Sequence, residues 1–192
     1  MPHPDPAALQ FLSHRRSYPA KMMTRPGPSR DELTPILTAA LRVPDHGQLM
    51  PWRLIVLERP ALTRLADAAA ARARTLGMDA ELTAKARGQF DRSPLAVAVV
   101  FSPTPSPKVP EVEQMYSTGA LCVGILNAAQ AAGWAACWLS GWVAHDRTFL
   151  TDTLTLAPQE SLAGFIHIGT ETGPTADRAR PDPGRLTTWL ST

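Results

Sequence analysis

The chain has 192 residues, a formal net charge of +2 and 44% apolar side chains. That is the length of a single domain with enough apolar material for a packed core. The small charge argues against a nucleic-acid or membrane-surface partner. The excess of arginine over lysine, beside so many alanines, reads as compositional bias rather than as a phosphate-binding signal. No apolar run approaches the roughly 18 residues of a membrane span. Met1 to Pro6 lacks the basic-then-apolar pattern of a leader, so the expectation is a cytoplasmic protein. Cys122 and Cys137 lie in apolar stretches outside any CxxC or Cys/His cluster, which favours buried thiols over zinc.

Ala7 to His14 predicts a short helix with Leu9 and Leu12, or Ala8 and Phe11, facing inward. It leads into His14-Arg15-Arg16-Ser17 and a proline-rich loop over 19–28. One arginine at a helix end answers the dipole; two adjacent ones are more than it needs. Ser29 followed by Glu32 makes a capping box. Leu33, Ile36, Leu37, Ala40 and Leu41 then carry the helical period. Trp52 to Glu58 reads as a strand whose Leu54–Leu57 run suggests burial on both faces. An alanine-rich helix runs from Pro60 to about Thr75, and a more polar one from Asp79 to Phe90. Leu95 to Phe101 is a second buried strand, followed by a proline-rich loop over 102–110. A long helix from Glu111 to Ala132 has a small-residue surface, including Gly119 and Gly124, suited to close approach by another backbone, within the core or from a partner. Gly133 ends it as a C′ residue. Trp134 to Leu139 is strand-like, His145 to Thr153 a short helix, and Leu162 to Gly169 a last strand. Residues 171–192 read as an arm with an apolar tip at Leu186, Trp189 and Leu190, packed on another subunit or folded back on its own domain.

The loop from Arg42 to Trp52 stands out. It packs Arg42, Asp45, His46, Gly47, Gln48 and two prolines between a capped helix and a strand. Prolines stiffen it, and a stiff polar loop between buried elements suits a binding site. The plainer reading is a capped turn with a solvated histidine.

Several chemistries lack their signatures. There is no GxSxG, no GxGxxG after a strand and no P-loop lysine, and the histidines have no metal-ligand spacing. What remains is cations and turn amides. Arg15, Arg16 and Ser17 suit a phosphate, Arg42 and His46 add donors, and Ser140-Gly141 offers backbone N–H groups. An anionic ligand with a large planar part fits that set, and flavin mononucleotide (FMN) meets the description.

Taken in order, His14-Arg15-Arg16-Ser17, Arg42-Val43-Pro44-Asp45-His46 with Pro51-Trp52, Lys108-Val109-Pro110 with Glu113-Gln114, Gly133 through Trp138-Leu139-Ser140-Gly141, and Leu162 through Thr170 resemble the nitroreductase family of flavoproteins, in its short YdjA-like branch. The resemblance covers nearly the whole chain. It implies an α+β fold, with a central, mainly antiparallel sheet flanked by helices, in a single domain (1–192) forming an intertwined homodimer. It implies FMN at the subunit interface and NAD(P)H as reductant, with no protein residue acting as catalytic acid or nucleophile. Cofactor contacts are implied for Arg15, Arg16, Ser17, Arg42, His46, Trp138, Leu139 and Ser140. The Arg42–His46 loop would reach the flavin across the dimer. Contacts to the nicotinamide cofactor are implied for Ala128, Ala129, Gln130, Ala131, Ala132 and Gly133. The implied reaction is ping-pong reduction of nitro compounds or quinone-like acceptors. Alternatives on the same fold are flavin-dependent dehalogenation or oxidation under a lid, for which only the 102–110 loop is available, and a non-catalytic flavin-binding dimer. Leu139 departs from the family pattern, which has arginine there.

Overall fold

In the computed structural model, which describes residues 3–192, there are five strands and seven α-helices; all but the two-residue β1 and the short α7, which fall in the expected loop and arm, follow the order of the sequence pattern. The helices are α1 (Pro6–His14), α2 (Arg30–Ala40), α3 (Arg59–Thr75), α4 (Ala80–Asp91), α5 (Glu111–Ala131), α6 (Arg147–Leu154) and α7 (Pro183–Leu186). The strands are β1 (Met23–Thr24), β2 (Trp52–Leu57), β3 (Leu95–Phe101), β4 (Ala135–Leu139) and β5 (Ser161–Glu171). Every strand pair is antiparallel. The sheet runs β2-β3-β5, with β1 and β4 also paired to β5. β5 is therefore the hub, and the α+β architecture with an antiparallel sheet is as the resemblance implies.

Local chemistry explains where the helices begin and end. The Ser29 hydroxyl accepts from the Glu32 N–H while the Glu32 carboxylate accepts from Ser29, so both members of the capping box are made. Asp79 and Asp146 cap α4 and α6 with a single bond each, accepting from the Leu82 and Phe149 N–H groups. Gly133 closes α5 at φ +87°, a conformation only glycine adopts cheaply.

The side-chain alternation of β3 divides the core in two. Ala96, Ala98 and Val100 face α3, α4 and α6, where they meet Leu62, Leu65, Phe90 and Phe149. Val97 and Val99 face α2 and α5, where they meet Ile36, Leu121 and Ile125. Helices thus cover both faces, and β3 is buried throughout. The close packing of α2 on α5 needs Gly124, because a Cβ there would sit 2.9 Å from the Ala40 carbonyl oxygen.

Two expectations fail. β2 is an edge strand, not buried on both faces: only Leu57 is buried and Val56 is 40% exposed. An apolar run reports composition, and burial depends on neighbours the run does not encode. α1 has no fully buried residue: Leu9, Leu12 and Ala8 are exposed, and only Phe11 is half-buried.

Two polar groups inside this core carry pH dependence. Glu160, 7% exposed, receives a forked bond from Arg53 at 2.6 and 2.7 Å and a backbone bond from Ala157. Arg53, foremost, holds its carboxyl at about 2, against an ordinary 4.5. His167 is fully buried, packs near Phe90 and Phe165, and finds no hydrogen-bond partner for either ring nitrogen among the described residues. Burial pushes it down to about 4 from 6.5.

Both carry a stability prediction. His167 folds neutral, so its contribution is complete above pH 6.5 and is lost as pH falls towards 4, at up to about 1.4 kcal/mol per pH unit. Glu160 folds charged, so its contribution is complete above pH 4.5 and is lost as pH falls towards 2. Urea unfolding followed against pH should show the first loss in the wild type and not in His167→Leu. Glu160→Gln should cost about 2 kcal/mol at pH 7, the scale of a charge-assisted bond, and should flatten the slope only below pH 4.5.

Candidate functional site

The arginines of the 14–17 segment and His46 lie at opposite ends of α5, while Trp138, Leu139 and Ser140 lie apart along β4 and the turn after it. The arginines lie where α1 ends. Arg15 is the C-cap of α1, and the chain then crosses to the open edge of β4, where the Tyr18 N–H donates to the Ala136 carbonyl at 3.0 Å. This brings Arg15 and Arg16 beside the C-terminal end of α5. Together with Phe11, His14, Tyr18, Gln130, Gly133, Trp134, Ala135 and Glu171 they line a cavity of about 300 Å³. The Arg15 guanidinium donates to Ser17 Oγ at 3.3 Å. The Nε atoms of Arg15 and Arg16 are both buried and have no hydrogen-bond partner among the described residues. Burial, then the charges of Arg180 and Arg16, lowers the pKa of Arg15.

No sequence pattern announces what else reaches this cluster. The arm returns to it: Arg16 donates to the Ala176 carbonyl and pairs with Asp177 at 3.4 Å, and Arg180 donates to the Arg15 carbonyl at 3.3 Å. Some 160 residues separate the partners, and local spacing cannot signal such a contact.

β4 leads from this cavity towards Ser140. Ala135 to Ser140 spans about 16 Å of extended chain. Ala135, Cys137 and Leu139 face a small cluster with Ala20, Met23 and Tyr18, which accounts for leucine at position 139: the side chain enters an apolar layer. Both cysteine thiols are free and buried, and burial raises each to about 12. Trp138 faces the other way. Its indole N–H donates to the Ala163 carbonyl at 3.0 Å, so the ring crosses β5 at Gly164. A Cβ at Gly164 would fall 2.1 Å from the Trp138 nitrogen. Gly164 has φ +153° and sits opposite an irregularity between Val99 and Val100. Beside Trp138 a cavity of about 570 Å³ opens against Phe101, Met115, Gly119 and Leu162. Ser140 is half-buried, and Gly141 turns the chain at φ +64°.

Of the segment expected to contact nicotinamide, Gln130 and Gly133 reach the arginine cavity. Ala129 is buried in the core, Ala128 is half-buried, and Ala131 and Ala132 are exposed.

The His46 loop lies at the other end of α5. Asp45 accepts from the Leu49 and Met50 N–H groups at 3.3 and 2.8 Å, so it does cap the turn. His46 Nδ1 lies 2.7 Å from Glu113 Oε2. Arg42 is exposed nearby in sequence. From Glu113 to Gln130 the helix covers about 25 Å, so one chain does not bring His46 to the arginine cavity; Arg42 follows Ala40, which packs on Gly124, and so lies partway along α5.

Comparison with known proteins agrees with the ordered motifs. The model of the nitroreductase family matches residues 12–170. A Haemophilus influenzae protein named "Putative NAD(P)H nitroreductase" is 36% identical over 165 residues, covering 85% of this chain and 88% of its own. An Escherichia coli K12 protein, "Putative NAD(P)H nitroreductase YdjA", is 32% identical over 163 residues, covering 85% and 87%. Among solved structures, a nitroreductase-like family protein from Bacillus cereus aligns over 100% of both chains with a TM-score of 0.79 at 18% identity. A point mutant of the FMN- and NADPH-dependent nitroreductase NfnB, from a Sphingopyxis-type strain, aligns over 96% of this chain and 99% of its own with a TM-score of 0.76 at 19% identity. The last two establish likeness of fold; the family model and the two close relatives establish descent, and the chain belongs to the nitroreductase family.

Proposed function

We propose that the protein is an FMN-dependent NAD(P)H oxidoreductase that reduces nitro compounds or quinone-like small molecules, with nicotinamide donor and acceptor occupying one site in turn. The observation that carries the reading is the pair of buried, unpartnered Nε donors on Arg15 and Arg16 at the mouth of a cavity. Buried donors without partners are costly, and a phosphate would satisfy them. The names of the close relatives and of NfnB support the choice of cofactor and reductant. FMN, when bound, supplies a hydride-accepting ring.

The chain's own residues then have separable tasks. Arg15, Arg16 and Ser17 hold the phosphate end. β4 provides a track of about 16 Å along which the ligand extends towards Trp138, Leu139 and Ser140. Leu139 contributes through its backbone, since its side chain packs into the layer beneath β4. Gln130 and Gly133 border the phosphate end of the same cavity, so a contact of the 128–133 segment with NAD(P)H would fall on a part of that cofactor away from its nicotinamide ring.

Arg42 and His46 enter the site from a second subunit. α5 exposes Val112, Met115, Tyr116 and Val123, and nothing lies within 4 Å of a Cβ built on Gly119. These positions follow helical spacing and form one uncovered stripe. An unpaired apolar stripe of this kind marks an interface. Two α5 helices packed antiparallel would carry His46 of each subunit to the arginine cavity of the other. The 171–192 arm, with Leu186, Trp189 and Leu190 exposed, reaches around the partner in this arrangement. The free buried thiols fit a cytoplasmic protein.

A lid-dependent reaction is disfavoured. The 102–110 loop is fastened: Gln114 bonds both the N–H and the carbonyl of Thr104, and Ser106 accepts from Val109.

The purified protein should show an oxidised-flavin absorption spectrum that bleaches on anaerobic addition of NADPH or NADH. A colourless protein that FMN cannot reconstitute would refute the reading. Arg15→Ala and Arg16→Ala should each weaken FMN binding roughly ten- to hundredfold, the value of a charge-assisted bond. Unchanged affinity in both would remove the phosphate assignment.

A further inference from the structure

The loop that carries His46 is held to α5 and to the chain after β3 more firmly than its backbone requires. Ser117 Oγ donates to the Pro44 carbonyl, the Ser102 N–H to that of Pro51 at 2.9 Å, and Thr104 Oγ1 to that of Leu49 at 3.3 Å. With the Asp45 cap, these grips fix the chain on both sides of His46 and hold Gln48 and Met50 at φ values of 53° and 48°. Each of them lands on main chain.

The contact from Glu113 is different in kind. It joins two side chains across 67 residues, Glu113 Oε2 to His46 Nδ1 at 2.7 Å. His46 and Glu113 are 62% and 44% exposed on the chain, and an ion pair so placed adds little to stability. With the backbone already held, what this bond decides is the imidazole itself. A carboxylate only accepts, so Nδ1 must carry the proton. Glu113 lies in the first turn of α5, so its backbone is fixed by the helix. Ring rotation and tautomer are both set, and Nε2, with no partner among the described residues, is the one nitrogen left to offer.

We infer that Glu113 is the positioning residue of His46: it fixes the Nδ1–H tautomer and turns Nε2 towards the flavin bound by the partner subunit. The inference rests on the flavin reading above. It adds a residue that contacts no ligand and acts through the one that does, much as a carboxylate orients the imidazole of a metal ligand or a triad.

The test has two readouts on the full-length protein. Nitrogen-15 NMR of the His46 ring at a pH where it is neutral reports the tautomer, and FMN titration reports affinity. The variants are Glu113→Ala, Glu113→Gln, His46→Ala and the double Glu113→Ala/His46→Ala. The wild type and Glu113→Gln, whose amide oxygen still accepts, should both show Nδ1–H. Glu113→Ala should revert to Nε2–H, the form a free imidazole favours. Glu113→Ala and His46→Ala should each weaken FMN binding about tenfold, Glu113→Gln no more than about threefold, and the double variant no more than either single one. An Nδ1–H ring retained in Glu113→Ala, or single losses that simply add, would overturn the inference. Failure of the flavin reading looks different: the wild type would bind no FMN while the Glu113-dependent tautomer persisted, which overturns the ligand named for Nε2 and not the pairing.

Discussion

The length of α5 is the constraint on which everything else depends. Its 21 residues run for about 30 Å across one face of the sheet. One side is buried against Val97, Val99 and Ile166 and, through Gly124, against the backbone of α2. Its C-terminal end borders the arginine cavity and its N-terminal end holds the His46 loop. A single ligand cannot touch both ends of a helix that long. If the two groups serve one flavin, they must come from two chains, and antiparallel pairing of α5 is the arrangement that joins them. On this reading the exposed stripe of α5 and the composite site are one requirement seen twice.

Much of the fold was legible because its signals are local. The Ser29–Glu32 box and the terminating Gly133 each act within four residues, and both are made as the pattern implies. The errors came where tertiary neighbours decide. Leu54 to Leu57 is as apolar as a buried strand, yet β2 lies at the edge. Gly119 and Gly124 look equivalent in sequence, but five residues turn a helix by about 140°. Gly124 meets α2 while Gly119 meets nothing. The arginines of the candidate site were visible as an excess beyond dipole needs. Their contacts with Ala176, Asp177 and Arg180 were not, since nothing in the 14–17 segment encodes a partner so distant. Glu113 was visible only as part of an ordered motif; its partner is defined by the packing of the loop on α5.

β4 shows how strand alternation assigns roles that a motif leaves undivided. Trp138, Leu139 and Ser140 are adjacent, but Leu139 turns into the layer with Met23 and Cys137 while Trp138 turns towards α5. A charged side chain in the Leu139 position would face apolar neighbours here, at a desolvation cost. Leucine is thus consistent with the local packing. The Trp138 ring is placed by the opposite strand: only a residue without Cβ at 164 leaves room for the indole, and the adjacent irregularity in β3–β5 pairing accommodates that backbone.

The balance of charge at the arginine cavity follows from the same geometry. Arg15, Arg16 and Arg180 converge there, and Arg180 and Arg16 each add to the effect of burial in lowering the pKa of Arg15. Asp177 supplies one counter-charge, within 3.4 Å of Arg16 and 3.7 Å of Arg180, but it is 81% exposed. A pair so exposed holds weakly, because water and salt screen it. It also leaves both buried Nε donors unanswered. On the flavin reading proposed above, a phosphate would bring up to two charges and several acceptor oxygens into the same space, within reach of donors that the carboxylate does not satisfy. The arm brings Arg180 as well as Asp177 to the cluster, so it adds one positive charge for each negative one and leaves the charge of Arg15 and Arg16 in excess.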